Sequence, residues 1–218
     1  MLELKGVPHR VVNLPLGTQA PALRALGFPG ETVPALKLDG RRVQGSTTIS
    51  RELEAMVPEA SLYSGSAERV RELEVWGERV MQPMPRRLFR WGLRRSPGLR
   101  RSLAESAGFP LPALTSKTFG PGSIYYALRT GATDEVIRAD LADLSARLDR
   151  IGALIDEGVL GGEAPSAADF QIGTSLRALM GFEDLQPHFA GRPAADLARS
   201  ILPDFSGPVP PFLPPEWL

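Results

Sequence analysis

The spacing of apolar residues changes once along this 218-residue chain, and that change most constrains the fold. Up to about Val57, short β-rich runs alternate with helical runs, whereas from about Ser66 the apolar spacing is almost wholly helical. Proline and glycine mark the segment between them. The sequence therefore predicts an α/β domain at residues 1–57, a linker at 58–65, an all-α domain at 66–202 and a proline-rich extended tail at 203–218.

Two short strands joined by a tight turn are predicted in the first domain. Residues 34–38 (PALKL) alternate in polarity, Asp39-Gly40 is a two-residue turn, and residues 41–43 return. Aspartate and glycine tolerate the positive φ angles of a type I′ turn, so this is a hairpin signal. A helix is predicted to follow, capped by Ser46 or Thr47. Its apolar residues recur at helical spacing: Ile49, Leu53 and Met56.

The second domain contains one long helix and one well-marked helix start. Gly158 is predicted to end the long helix. Ser166 and Asp169 can form a capping box, with Pro165 and Phe170 as a hydrophobic staple, at the start of the next. The long helix carries one stripe of apolar residues spaced three or four apart: Ile137, Leu141, Leu144, Leu148, Ile151 and Ile155.

A last helix is predicted to begin near Arg192-Pro193, and proline then dominates the chain. Repeated prolines forbid regular helix and favour an extended polyproline II conformation. The tail is interpreted as a strap across its own domain, anchored by Phe212 and Trp217; the alternative is a proline-rich ligand for a partner protein. Gln82-Pro83-Met84-Pro85 is expected to kink or break the helix that contains it.

Composition excludes several classes of function. The chain contains no cysteine, so disulfides, thiolate metal sites and a cysteine nucleophile are excluded within it. His9 and His188 lack metal-ligand spacing, and we expect no bound metal. No apolar run approaches the roughly 18–20 residues that span a bilayer, and the start does not resemble a secretory signal. A cytoplasmic location without a membrane partner is expected.

Ten arginines lie between Arg69 and Arg101, interleaved with aromatic residues. Glutamates neutralise the first half of this stretch, whereas residues 86–101 carry seven arginines and no acid. Three interpretations are open: a solvated helix face, a wall for an anionic acceptor substrate, or a nucleic-acid surface. The first is preferred, and no nucleic-acid partner is expected.

The stretch 32–54 (TVPALKLDGRRVQGSTTISRELE) carries the ligand-binding hypothesis. A cis Val33-Pro34 bond would leave the backbone N–H and C=O of Val33 free to pair with an extended peptide. The amides of Ser46 and Thr47 at a helix start, with the Ser46 hydroxyl, could hold a carboxylate. Together these groups suit a small anionic peptide. A plain helix cap is the alternative role for Ser46.

These elements, in this order, resemble the glutathione S-transferase superfamily. Its thioredoxin-like first domain typically carries a VP pair, a DG-type hairpin and an E/Q-S-x-x-I element; the matching residues are Val33-Pro34, Asp39-Gly40 and GSTTI at 45–49. The capping box in GGEAPSAADF is similar to that of the family's core helix. The resemblance implies a thioredoxin-like α/β N-terminal domain, an all-α helical-bundle domain and a homodimer.

The resemblance also implies roles for individual residues. Val33, with Pro34, would meet the cysteinyl backbone of glutathione, while Ser46 and Thr47 would position its γ-glutamyl carboxylate. Gly45 departs from the family's Glu or Gln and has no side chain for the γ-glutamyl amine, so Gln44 would have to replace it. The acceptor-substrate wall would include Trp76, Met81, Met84, Phe89 and Trp91.

The start of the chain departs further from the family pattern. Residues 1–6 resemble only the last turns of the family's first helix, and residues 7–14, β-rich from Arg10 to Leu14, would be its second strand. The first strand and the loop with the thiol-activating Tyr, Ser or Cys would then be absent. The preferred interpretation is a true start upstream; the alternative is a remodelled fold. The catalytic residue is therefore unknown, and Tyr63, Tyr125 and Tyr126 are not placed for that role by family analogy.

Two functions remain open from the sequence. The first is transfer of glutathione, or another low-molecular-weight thiol, to an electrophilic small molecule, a detoxification chemistry. The second is a non-catalytic binding or assembly module on the same fold. An upstream segment with a strand and a Tyr, Ser or Cys loop would favour the enzyme.

Overall fold

The structure is a computed structural model that describes residues 1–14, 18–205 and 208–218. A small β-containing region comes first in the chain and is followed by an all-helical region. The first region contains α1 (Gln19–Ala25), β1 (Ala35–Leu38), β2 (Arg41–Gln44) and α2 (Ser46–Met56). The helical region contains α3 (Ala67–Trp76), a π-helix (Gly77–Met81), α4 (Pro83–Arg95), α5 (Pro97–Ser106), α6 (Pro112–Arg129), α7 (Asp134–Asp156), α8 (Ala167–Met180), α9 (Gln186–Phe189) and α10 (Pro193–Ile201).

The predicted hairpin is confirmed. β1 and β2 pair antiparallel, with Ala35 opposite Gln44 and Leu38 opposite Arg41. Asp39 and Gly40 have φ angles of 46° and 83°, as a type I′ turn requires. The buried side chains of the hairpin join those of α2 in one core: Leu38, Val43, Ile49 and Leu53. The hairpin thus fixes where α2 begins.

The β-rich segment Arg10–Leu14 forms no strand, and this prediction is wrong. The described residues contain a single two-stranded sheet, and neither of its strands pairs with this segment. Val11 and Val12 are 72% and 60% exposed. β-branched residues favour extended backbone, but a strand persists only when a neighbour satisfies its hydrogen bonds.

Residues 1–6 do form the end of a helical turn, as predicted. The Lys5 amide donates to the Met1 carbonyl at 3.0 Å, and Gly6 ends the turn with a φ of 63°. The Val7 amide reaches the Leu2 carbonyl at 3.0 Å, which completes a Schellman motif. The buried Lys5 ammonium binds Glu54 at 2.7 Å and the Val57 carbonyl at 2.6 Å, so this turn is docked on α2.

The helical region confirms the predicted helix end, the helix start and the stripe from Ile137 to Ile151. Leu154 is buried at the end of that stripe, whereas the predicted Ile155 is only partly buried. α7 buries an apolar face, Gly158 has a φ of 70°, and the capping box of Ser166 and Asp169 is formed at the start of α8. The last helix, α10, begins at Pro193 beside the predicted Arg192-Pro193 start. The buried residues of the α7 face belong to the main core: Ile137, Leu141, Leu144, Leu148, Ile151 and Leu154.

Helical geometry changes at the Gln82–Pro85 segment. The chain passes from α3 through a five-residue π-helix, in which the Gln82 amide donates to the Gly77 carbonyl at 2.9 Å. Pro83 and Pro85 then lie in the first turn of α4, where an amide donor is not needed. The predicted break is therefore realised as a π segment followed by a new helix start.

The tail crosses its own domain, in agreement with the preferred interpretation of the sequence. The amides of Phe212 and Leu213 donate to Asp184 at 2.8 and 3.0 Å. The Trp217 ring lies 5.1 Å from that of Trp91, and Phe212 packs 6.1 Å from the same ring. Both predicted aromatic anchors thus contact α4.

Candidate functional site

The first turn of α2 is open at its N-terminus. Gly45 is the N-cap residue, with φ 91° and ψ 140°, and offers no side chain to the first amides. The first intrahelical bond runs from the Ile49 amide to the Gly45 carbonyl at 3.0 Å. Within the described chain, the amides of Ser46 and Thr47 and the Ser46 hydroxyl have no hydrogen-bond partner. This half-exposed turn can therefore bind an anion.

The prediction that Ser46 or Thr47 caps α2 is wrong, because Gly45 is the N-cap residue and the helix already begins at Ser46. Gly45 adopts the positive φ that turns the chain out of β2, so Ser46 is already the first helical residue. A capping side chain would occupy the amides itself. Their availability follows from glycine at this position.

The Val33-Pro34 peptide bond is cis and lies beside this turn. The Gly45 amide donates to the Pro34 carbonyl at 3.0 Å, which extends the hairpin pairing by one step. Val33 is 49% exposed, and its backbone amide and carbonyl have no partner in the described part of the chain. An extended peptide could pair with Val33 while its carboxylate meets Ser46.

The side chain of Gln44 is engaged by the loop that carries Val33. Its carbonyl oxygen accepts from the Gly30 amide at 2.7 Å, and its amide nitrogen donates to the Thr32 carbonyl at 2.7 Å. A Cβ added at Gly30 would lie 2.8 Å from the same carbonyl oxygen, so a larger residue there would displace the end of the Gln44 side chain. Gln44 braces the binding loop, and its role toward a ligand amine stays a prediction.

The Thr47 side chain connects the site to the helical region. Thr47 is buried, and its hydroxyl donates to Glu78 of the π-helix at 2.9 Å. Thr47 therefore offers a ligand its backbone amide and not its hydroxyl. This hydrogen bond links the open turn of α2 to the π-helix.

A buried polar cluster below the turn was not recognised from the sequence. The Tyr63 hydroxyl donates to Glu74 at 3.0 Å, and the Ser50 hydroxyl lies 2.5 Å from the other Glu74 oxygen and 3.0 Å from the Tyr63 hydroxyl. Ser50 is 0%, Glu74 2% and Tyr63 6% exposed. The cluster joins α2, the 58–65 segment and α3. Its sequence signal is a glutamate on the apolar face of a helix, next to Val70 and Leu73.

Burial raises the pKa of Glu74, and the hydrogen bonds from Ser50 and Tyr63 oppose this shift only in part. Burial also raises the pKa of Tyr63. The described residues place no cation in an ion pair with Glu74. A protonated carboxyl could donate to Ser50, which would free the Ser50 proton for the Thr47 carbonyl at 2.9 Å. All members of the cluster would then be satisfied.

Glu74→Gln is expected to change how stability depends on pH. A raised folded pKa gives a contribution that is fully present below the unfolded pKa and is lost as pH rises through the folded pKa. Wild type should therefore lose stability relative to the variant as the pH rises from acidic to neutral. Urea unfolding across this pH range measures the difference. Glu72→Gln, at an exposed site on the same helix, is the control; parallel curves for wild type and Glu74→Gln would contradict the assignment.

The residues predicted as an acceptor-substrate wall divide into two groups. Trp76 and Phe89 are half-buried, and the Arg150 guanidinium carbon lies 4.4 Å from the Trp76 ring centroid. Met81 and Met84 are 0% and 1% exposed and form part of the core, where they offer no surface to a small molecule. Trp91 is likewise buried beneath the tail. Helical spacing identified one face of these helices, but neighbouring helices cover part of it.

The arginines of α4 also divide by face. Arg87 binds Asp140 and Arg95 binds Asp134, both on α7. Arg86 and Arg90, one turn apart, have no ion-pair partner in the described part of the chain. Burial lowers the pKa of each guanidinium. The arginine-rich stretch is thus partly a packing interface rather than wholly a solvated face.

No group of three or more metal-ligating side chains is assembled among the described residues. Within those ranges, no helix combines the length and the apolar character needed to cross a membrane. Tyr63 lies in the buried cluster, whereas Tyr125 and Tyr126 are exposed on α6. α6 reaches the loop before Val33 through an Arg129–Glu31 contact of 3.7 Å.

Comparison with known families accounts for the first region. Residues 1–61 match the family described as glutathione S-transferase, N-terminal domain. Neither the curated proteins nor the solved structures yielded a significant match. The matched segment contains the hairpin, the cis proline and the open turn of α2, and the helical region follows it directly. A region similar to a glutathione S-transferase N-terminal domain is therefore followed by a largely helical region, an arrangement that is glutathione S-transferase-like.

Proposed function

We propose, from the glutathione S-transferase N-terminal domain at residues 1–61, that this protein binds glutathione or a similar low-molecular-weight thiol and transfers it to an electrophilic small molecule. One observation carries this proposal. The open first turn of α2 lies beside the unpaired backbone of Val33, so a carboxylate site and a peptide-pairing site share one edge. A short anionic peptide fits that combination.

The proposed complex uses few residues. The amides of Ser46 and Thr47, with the Ser46 hydroxyl, hold the γ-glutamyl carboxylate, and the Val33 backbone pairs with the cysteinyl unit. Gln44 keeps the loop that carries Val33 in place. Each contact orients the thiol compound, and none removes the thiol proton.

The chemistry would be attack of the bound thiolate on an electrophilic carbon. A carbon–sulfur bond forms, the leaving group departs with its electron pair, and the thiol proton is released to solvent. The enzyme would contribute by holding thiolate and electrophile together and by stabilising the thiolate with a hydrogen bond. The donor of that bond is not assigned. Trp76 and Phe89, the half-buried members of the wall, are the proposed contacts for the electrophile.

A non-catalytic binding module is the second candidate. Gly45 offers no side chain to the ligand amine, and the amide of Gln44 is already engaged with the loop. Both observations favour weaker thiol binding than an enzyme would need. A homodimer belongs to either proposal and rests on the family resemblance. The cytoplasmic location expected from the sequence belongs to either proposal as well.

Ser46→Ala is expected to weaken retention on immobilised glutathione about tenfold, since the variant loses a charge-assisted hydrogen bond to the carboxylate. Ser64→Ala, at an exposed serine of the 58–65 segment, is the matched control and should bind like wild type. Equal retention of both variants would contradict the site assignment. No retention of wild type would contradict thiol binding altogether.

A conjugation assay with an activated aryl halide distinguishes the two candidates. Formation of the thioether at a rate above the buffer control supports the transferase. Retention on glutathione without thioether formation supports the binding module.

A further inference from the structure

A surface cavity lies where the two regions meet, and none of its lining residues belongs to the open turn of α2. Its volume is about 360 Å³. The lining consists of Arg51, Glu54, Ala55, Tyr63 and Arg71. Three chain segments therefore contribute to it: α2, the 58–65 segment and α3.

The cavity carries a net positive charge. Arg51 and Arg71 form no ion pair within the described chain, whereas Glu54 is fully engaged. One Glu54 oxygen accepts from Lys5 at 2.7 Å and the Leu62 amide at 2.8 Å. The other accepts from Ser61 at 2.5 Å. Two guanidinium groups without an ion pair thus line the same space, and the charge of Arg51 also acts on the buried Glu74 carboxyl.

The wall between the two arginines is held in place by the core. The Arg71 guanidinium carbon lies 5.2 Å from the centroid of the Tyr63 ring, a cation–π distance. The Tyr63 hydroxyl is fixed in turn by Ser50 and Glu74. Because Arg71 is stacked on a tyrosine that is itself anchored, ligand binding would lose little side-chain entropy in ordering this wall.

We propose that this cavity binds the phosphate group of a small phosphorylated molecule. Guanidinium groups match the oxygens of phosphate in pairs of hydrogen bonds, and two of them balance the charge of a phosphate dianion. The interior volume is at the lower end of small-molecule sites, so the rest of the ligand must be small or extend into solvent. The site shares no residue with the proposed thiol site.

Titration calorimetry with inorganic phosphate, at ionic strength fixed with sodium chloride, tests the proposal on the full chain. Wild type should bind one phosphate per chain. Arg51→Gln and Arg71→Gln should each weaken that binding about tenfold or more, because each removes a charge-assisted contact. Arg69→Gln removes the same charge from α3 outside the cavity and should bind like wild type.

Three results would overturn the proposal. The first is no saturable heat from wild type up to about 10 mM phosphate, beyond the range of weak specific binding. The second is an equal loss in all three variants, which would indicate a general charge effect. The third is that wild type forms an oligomer, measured by light scattering, which Arg51→Gln or Arg71→Gln dissociates. The two arginines would then bind a second copy of the chain. If a glutamine variant fails to fold, Arg51→Lys and Arg71→Lys replace it, and each should keep the charge but still weaken binding.

Discussion

Asp140→Ala is expected to lower the free energy of unfolding by about 3–5 kcal/mol. Asp140 on α7 is 5% exposed. One of its oxygens accepts from Arg87 of α4 at 2.9 and 2.7 Å, and the other accepts from Arg87 at 2.8 Å and from Arg147 at 3.3 Å. Alanine would leave the partly buried guanidinium of Arg87 without a counter-charge between two packed helices. Urea unfolding measures the loss.

Asp143→Ala is the matched control for this prediction. Asp143 lies on the same helix and binds Arg147 at 3.0 Å, but its side chain is 65% exposed. An exposed ion pair of this kind contributes about 0–1 kcal/mol. Similar losses in the two variants would show that burial of the Asp140 pair does not determine its contribution.

The elements that the sequence predicted correctly depend on neighbouring residues. Asp39-Gly40 forms its turn because both residues accept positive φ, and Ser166 reaches Asp169 within one helical turn. The Gly158 helix end is equally local. Such patterns can be read from a short window because all participating atoms lie within it.

The elements that were missed depend on distant partners. Ser50, Tyr63 and Glu74 meet across up to 24 positions of sequence, and Thr47 meets Glu78 across 31. Each is an ordinary polar residue until the fold brings them together. The predicted strand near residue 10 failed for the same reason, since pairing depends on a neighbour and not on β-propensity alone.

In the candidate site, some features were predicted from local sequence patterns and others depend on distant partners. The local pattern placed Ser46 and Val33 near each other, and the hairpin ladder brings them together through the Gly45–Pro34 bond. The local sequence pattern did not show that Gln44 braces a loop or that Met84 lies in the core. Helical spacing tells which residues share a face, but the covering helix decides whether that face meets solvent.

Asp169→Ala is expected to lower the free energy of unfolding by about 3–4 kcal/mol, the summed effect of several buried donors losing their acceptor. Asp169 is 2% exposed and accepts from the Gly161 amide at 2.8 Å, the Ser166 amide at 2.8 Å and the Ser166 hydroxyl at 2.7 Å. α8 packs against α3 and α10, and its Ala167 amide donates to the Leu62 carbonyl at 2.8 Å. Loss of the cap would therefore loosen the contact between α8 and the 58–65 segment. Urea unfolding and glutathione retention should both report it.

Asp196→Ala provides the comparison, because Asp196 lies in the first turn of α10 with a side chain that is 82% exposed. It binds only Arg199, three residues later, and its loss should cost about 0.5 kcal/mol or less. A large difference between the two variants would assign the effect to the buried capping box. If Asp169→Ala cost no more than Asp196→Ala, water or neighbouring groups would have to satisfy the three donors, and the N-terminus of α8 would not set the position of the 58–65 segment.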